Sequence, residues 1–370
     1  MSPAVSLYLD LVRLWAAVAV LLSHFAYSRF TAGEYLIFRR FGSDAVVLFF
    51  VLSGYVIAYV TAERERGLAD YTLSRLARLY SVALPALCVT VVLDHIGQVL
   101  DPGLYGGWWY QDDRPVWRFL VNALFVNELW FNSTRPFTNG PYWSLGYEFW
   151  YYAIYGVARF LTGRARTVLI AAIVAVVGPK VLLLLPVWLV GVWTYRYNRR
   201  RTLTPALAWT FFILPILAYA GIKWTGLDQD LRALTMDLLG KGFVRAQLRW
   251  SDEFAISYLY ALLIAMNFIA VNSLSAVFER WLRPMARPIR YFAGLTFSIY
   301  LFHYPLLQFF SACYGREASD TPSQVLLLVS TLVAIACLGA VTERKKHVAR
   351  AWLSPLVRKA TKALETRTGR

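Results

Sequence analysis

An arginine at position 13 and a histidine at position 24 interrupt a run, 7–26, that otherwise reads as a membrane-spanning helix. An ionisable side chain at membrane depth is costly, so it faces a protein interior or a polar cavity and marks transport or chemistry. On a helix, eleven residues turn about 1100°, roughly 20° past three full turns, and rise about 16 Å. Arg13 and His24 therefore share one face, and Asp10 lies within about 40° of the same line. Imidazole exchanges protons near neutrality, which makes His24 the candidate general base. A second run offers a carboxylate. In PYWSLGYEFWYY (141–152), Ser144, Glu148 and Tyr152 are four apart on one helix face, and Glu148 is expected to orient or charge-stabilise His24. Tyr142 and Trp143 open this run and are expected at the cavity.

A base needs a nucleophile, and the chain has no G-x-S-x-G elbow. Ser53, in FFVLSGYVI, is expected to pack or hydrogen-bond at the cavity, and a substrate hydroxyl is the more economical nucleophile. His303, about two-thirds across its own run and followed by the helix-perturbing Pro305, is expected to line the same cavity. Arg75 and Arg78 enter a third run three residues apart, and guanidinium forks suit phosphate. Trp108, Trp109 and Tyr110 are placed to stack on sugar rings or to form an aromatic belt. The Asp94–His95 pair is expected at the membrane interface.

These residues must be positioned by helices in a bilayer. The chain of 370 residues is 58% hydrophobic, only 16% charged and holds 14 tryptophans, whereas a soluble domain would be about 25% charged. The three cysteines, Cys88, Cys313 and Cys337, are scattered, and the four histidines show no HExxH spacing, so neither a disulfide framework nor a metal site is expected. The first run carries Asp10 and Arg13 and no clear cleavage site, so it is expected to stay as a signal anchor. The fold class expected is an all-α integral membrane protein, a bundle of about ten transmembrane helices enclosing a polar cavity. The spans fall near 7–26, 45–62, 79–98, 143–162, 166–177, 180–195, 206–222, 254–273, 291–311 and 324–342. The fifth and sixth are short and split by Gly178 and Pro179. Residues 116–131 are apolar but interrupted by Arg118, Asn122, Asn127 and Glu128, and read as an interfacial or re-entrant helix. Alternate connections carry most of the 38 Lys and Arg, which places that side, and both termini, in the cytoplasm. The net charge of +16 is thus mainly a topology signal, and no nucleic-acid partner is expected. Residues 343–370 form a basic cytoplasmic tail, expected as an amphipathic helix on the anionic leaflet.

Taken in order, several runs resemble the membrane acyltransferase-3 family, which O-acylates surface polysaccharides, lipid-linked glycans and related molecules. They are LDLVRLWAAVAVLLSHF (9–25), GSDAVVLFFVLSGYVI (42–57), SRLARLY (74–80), YWSLGYEFWYY (142–152), PVWLVGVWTYR (186–196) and YFAGLTFSIYLFHYPLL (291–307). No single run is decisive, but their order and spacing over nearly the whole chain are specific. The resemblance implies that residues 1–342 form the acyltransferase domain, that Arg13 and His24 are an essential pair with His24 catalytic, and that Glu148 belongs to the site. It further implies that Arg75 and Arg78 meet acyl-CoA, that Asp44 is the acidic position before the second span, and that His303 is the family's late histidine. The run SLGYE lacks the second acid that many members carry after the glutamate, and the SGNH-type esterase domain of some members is not seen, which suggests the stand-alone class.

The function expected is transfer of an acyl group, acetyl or succinyl, from cytoplasmic acyl-CoA to a carbohydrate hydroxyl at a bacterial inner membrane. Acyl-CoA is a co-substrate, and no permanently bound cofactor is expected. His24 would deprotonate the hydroxyl or carry the acyl group, two routes the sequence leaves open. Arg13 would meet the thioester or a developing oxyanion. Partners expected are acyl-CoA, a polysaccharide or lipid-linked glycan and membrane lipids, with homo-oligomerisation left open. The alternative is a secondary transporter or glycan flippase using the same polar residues, although no internal repeat supports it.

Overall fold

The computed structural model describes residues 1–315 and 320–367, and among these every regular element is helical. Helix α1 (Pro3–Phe25) starts where Ser2 accepts a hydrogen bond from the Val5 amide at 3.3 Å and Pro3 fills the first turn, where no N–H is needed. It is followed by α2 (Gly42–Glu63), α3 (Leu68–Leu100), the short α4 (Pro115–Ala123), α5 (Trp143–Phe160), α6 (Gly163–Val177), α7 (Pro179–Leu183), α8 (Leu185–Asn198) and α9 (Pro205–Thr225). Next come α10 (Leu227–Leu239), α11 (Phe254–Ser273), α12 (Thr296–Tyr314), α13 (Thr321–Val341) and α14 (Lys346–Arg367).

Among the described residues six helical stretches are long and apolar enough to cross a membrane, or seven if the pair bent by 109° at Gly178 is one span. The ten expected spans are thus met by six or seven helices of sufficient length and apolarity, the fifth and sixth merging into the bent pair. Neither α5 nor α12 qualifies, although they carry Ser144, Glu148, Tyr152, Tyr300, His303 and Gln308. Packing inside the bundle permits this. On α12, Ser298, Leu301, Phe302, His303, Leu307 and Gln308 are fully buried, so no lipid contact demands an apolar surface there.

The tightest crossing joins α2 and α8. A β-carbon on Gly54 would lie 2.0 Å from the Trp188 carbonyl oxygen, and one on Gly191 would lie 1.9 Å from that of Val51. Two glycines thus let the backbones touch, as small residues do at membrane helix interfaces. This seats α8, with Trp188, beside Ser53.

The segment expected as interfacial or re-entrant becomes α4, about 14 Å long and too short to span, and a buried loop, 124–142. Arg118 anchors the start of α4 on Asp113, and these hydrogen bonds hold the Asp113 carboxyl below the usual range. The loop is fastened from three sides. Asp94 on α3 accepts from the Thr138 amide at 2.9 Å and its hydroxyl at 2.8 Å. Asn139 donates to the Leu301 carbonyl on α12 at 2.9 Å. Lys180, fully buried on α7, pairs with Glu128 at 2.6 Å. Asp94 is therefore a buried fastener and not the interfacial residue expected, while His95 is exposed. Phe125, Trp130 and Phe137 hold left-handed φ angles of 56°, 52° and 56°, a cost that non-glycine residues bear only where surroundings enforce it.

The tail folds as α14 and packs on α3, with Val357 and Thr361 buried and Trp352 82% exposed. It is thus a docked helix with one free face. The last three residues of the expected tail lie outside the described residues.

Candidate active site

Two cavities are stacked along the polar face of α1. The upper one, near the end of α1, has a volume of about 330 Å³ and is lined by His24, Arg135, Trp143, Trp250, Tyr300 and Tyr304, among others. The lower one, about 50 Å³, contains Arg13, Ser53, Arg78, Ser144, Glu148 and Tyr300. Val46 and Tyr300 belong to both linings and form the wall between them. The Tyr300 hydroxyl is fixed by Ser144 at 2.7 Å and by the Pro141 carbonyl at 3.0 Å.

At the upper cavity His24 is paired with His303, which is fully buried behind it and does not itself line the cavity as expected. His24 Nδ1 lies 2.9 Å from the Val20 carbonyl and 3.1 Å from His303 Nε2, and His303 Nδ1 lies 2.9 Å from the Ile299 carbonyl. Carbonyl oxygens only accept, so this network assigns the proton of each neutral ring to Nδ1. His303 Nε2 is then an acceptor for His24 Nδ1–H. His24 Nε2 makes no hydrogen bond among the described residues and keeps its lone pair for the cavity. Beside the pair, Tyr304 is bonded by Arg29, which also donates to Gln308 at 3.1 Å. Trp143 stacks on Trp250, with ring centres 5.3 Å apart and planes at 5°.

The expected contact between Glu148 and His24 is not made. Glu148 lies one cavity lower, where it accepts from Ser53 at 2.6 Å and from Tyr152. Trp188 also donates to Ser53 Oγ at 3.2 Å. Ser144, Glu148 and Tyr152 do share a face, as their spacing predicts. Arg13 bonds Asp10 at 2.8 Å and shares the lower cavity with Arg78. The helical rise that puts Arg13 and His24 on one face also separates them by about 16 Å, so Arg13 is too far away to meet an oxyanion formed at His24.

Arg75 and Arg78 do not form one cradle. Arg78 faces the lower cavity, whereas Arg75 pairs with Glu65, its guanidinium 5.0 Å from the Tyr71 ring, in a separate groove of about 310 Å³ that reaches α14. Asp44 is also apart from both histidines. It accepts from Tyr219 at 2.8 Å and pairs with Lys223 at 2.6 Å at a lateral apolar groove of about 400 Å³. Tyr142 is fully buried and donates to the Asn122 carbonyl at 3.2 Å, a structural role in place of the expected cavity one. Trp108 lines the upper cavity, while the Trp109 indole is tied to the Leu104 carbonyl at 2.9 Å.

The sequence reading missed Lys180 and the Arg29–Tyr304–Gln308 group, and named Asn127 only as a polar interruption of 116–131. Lys180 had a visible signal, a lone ammonium in an apolar run.

An acyltransferase-domain family model matches residues 6–341, nearly the whole chain. The chain belongs to the acyltransferase-3 family. Among curated relatives, the acyltransferase MdmB of Streptomyces mycarofaciens is 30% identical over 148 residues, 38% of this chain and 36% of that protein. An O-acetyl transferase of Shigella phage Sf6 is 28% identical over 174 residues, 45% of this chain and 50% of that protein. The chain thus spans between a third and a half of the length of the curated relatives it matches. No solved structure matches it. Family membership and the apolar helices together make this acyltransferase-3 protein a multi-pass membrane protein.

Proposed function

We propose that this protein is a membrane O-acyltransferase that moves an acyl group, acetyl in the simplest case, from acyl-CoA to a carbohydrate hydroxyl. The observation that carries the reading is the free Nε2 of His24, aimed into a cavity walled by tryptophans and held by a second neutral histidine. Membership in an acyltransferase family, with an O-acetyl transferase among the relatives, favours transfer over transport.

The acceptor enters the upper cavity and donates its hydroxyl proton to His24 Nε2 as its oxygen attacks the thioester carbonyl. The carbon–sulfur bond breaks, and the departing thiolate takes the proton back from Nε2, leaving an ester and free CoA. While His24 is an imidazolium, its Nδ1–H is held by His303 Nε2 and the Val20 carbonyl. His303 so fills the orienting role that spacing had suggested for Glu148. An acyl-imidazole route would use the same lone pair.

In this reading the acyl-CoA enters from the other end of the bundle, the end of the basic loops, which is cytoplasmic if the protein follows the positive-inside rule in a bacterial inner membrane. Arg78 and Arg13 line its path in the lower cavity, and Arg75 stands at the approach. Arginine suits the phosphates of the donor; Arg13 is held by Asp10 at 2.8 Å, and the Glu148 carboxylate shares the lower cavity with Arg78. The thioester must then pass the Tyr300 wall to reach His24.

The test follows label from radiolabelled acetyl-CoA in membranes holding wild-type protein or His24→Ala at equal, verified expression, with glycan acceptors supplied. Wild-type transfer falling by about 10²–10⁴-fold in the variant is expected. Equal rates would remove His24 from the chemistry. Label trapped on wild-type protein in the absence of acceptor would select the acyl-imidazole route.

A further inference from the structure

The upper cavity is electrostatically unbalanced. Four guanidiniums, of Arg39, Arg135, Arg232 and Arg249, line it with two carboxylates, Asp252 and Glu253. Both carboxylates are taken by Arg232, at 2.5 Å and 3.4 Å. Among the described residues, Arg39, Arg135 and Arg249 have no carboxylate within ion-pair distance. Low-dielectric walls strengthen the field of such unpaired charges and draw in ligands of opposite sign.

A side pocket of about 30 Å³ opens beside this cavity, and Arg135, Arg249, Trp143 and Trp250 line both. It has room for about two waters, enough for a carboxylate or phosphate group and too little for a sugar ring. Asn127 also lines it, fully buried, and neither its Oδ1 nor its Nδ2 has a partner. A buried unpaired amide is costly, and its N–H donor is what an anionic oxygen accepts from. Glu128 lies on the same wall but is neutralised by Lys180 at 2.6 Å and bonded by Ser133 at 2.8 Å. Arg249 holds a left-handed φ of 51° directly after a π-helical turn, Val244–Leu248, the kind of strained backbone that gathers at ligand sites.

We propose that the acceptor is an anionic glycan whose carboxylate or phosphate sits between Arg135, Arg249 and Asn127, while the attached sugar lies on the Trp143 and Trp250 face and turns a hydroxyl to His24. This rests on the acyl-transfer reading for the last step only, since anion binding is measurable without turnover.

The experiment is equilibrium binding to the purified full-length protein in detergent micelles. The probes are tritiated trigalacturonic acid and its carboxyl-reduced neutral counterpart, with galactose 1-phosphate and galacturonate as competitors. The charged trisaccharide is expected to bind about tenfold or more tighter than the neutral one, in line with the gain from charge-assisted hydrogen bonds. The preference should shrink in Arg249→Gln and Arg39→Gln, both exposed and so tolerant of change, and persist in the charge-matched control Arg350→Gln on α14. Stronger competition by galactose 1-phosphate than by galacturonate would identify phosphate as the anion held. Equal binding of charged and neutral trisaccharides, a preference surviving both Arg249→Gln and Arg39→Gln, or displacement of the trisaccharide by CoA as effectively as by galactose 1-phosphate would overturn the proposal. Label transfer that fails while the preference holds would count against the acyltransferase reading alone.

Discussion

A neutral imidazole buried in a bundle acts as a base only if one nitrogen is committed to the protein and the other is left for substrate. His24 meets that condition through Val20 and His303. His303→Gln is expected to lower kcat by roughly ten- to a hundredfold with little change in donor KM, because it disturbs the tautomer and orientation of the base. Glu148→Gln should do the opposite, raising the KM for acyl-CoA more than it lowers kcat, because its carboxylate lies with Arg78 in the other cavity. Steady-state kinetics on both variants checks this split, and a kcat effect confined to Glu148→Gln would reverse the assignment. His24 was legible because a histidine in an apolar helix needs a reason. Its partner was not, because spacing along one helix says nothing about which neighbouring helix faces it. Arg13 shows the complementary limit, since angular alignment on α1 was read correctly but the axial rise put it in a different cavity.

The elements that matter most are the ones least suited to lipid. Polar side chains on α5 and α12 lowered their hydropathy, and the bend at Gly178 divided another span, so hydropathy certified α1, α2 and α3 beside the cavities but not α5 and α12. The loop 124–142 depends on buried charge. Replacing Lys180 by Met leaves Glu128 buried and unpaired, a loss of about 3–5 kcal/mol. The double variant Lys180→Met/Glu128→Leu should recover much of that. Thermal unfolding of the purified variants in one detergent measures both, and a double variant no more stable than the single one would refute the pairing as the cause. Such pairings form between segments about fifty residues apart, and for that reason Asp94–Thr138 and Glu128–Lys180 could not be read from local pattern.

At the scale of the whole molecule, the proposed direction of transfer depends on sidedness. Trp108 is 73% exposed at the upper cavity and Trp352 is 82% exposed on α14. Against the background of the three native cysteines, Trp108→Cys should react with a membrane-impermeant maleimide in intact cells. Trp352→Cys should react only after permeabilisation. The reverse pattern would turn the bundle over and bring acyl-CoA in at the histidine end. The charge bias from which this orientation is proposed was visible in the sequence. The division of the interior into two cavities was not, because it depends on where one tyrosine ring falls. That ring has a consequence for the cell. A continuous aqueous passage between a cytoplasmic donor and an external acceptor would be a conduit for protons and ions, and it would drain the electrochemical gradient across the membrane. In the proposed scheme the Tyr300 hydroxyl, held by Ser144 and the Pro141 carbonyl, closes that passage between turnovers, so that the membrane would stay energised while the catalyst stands idle.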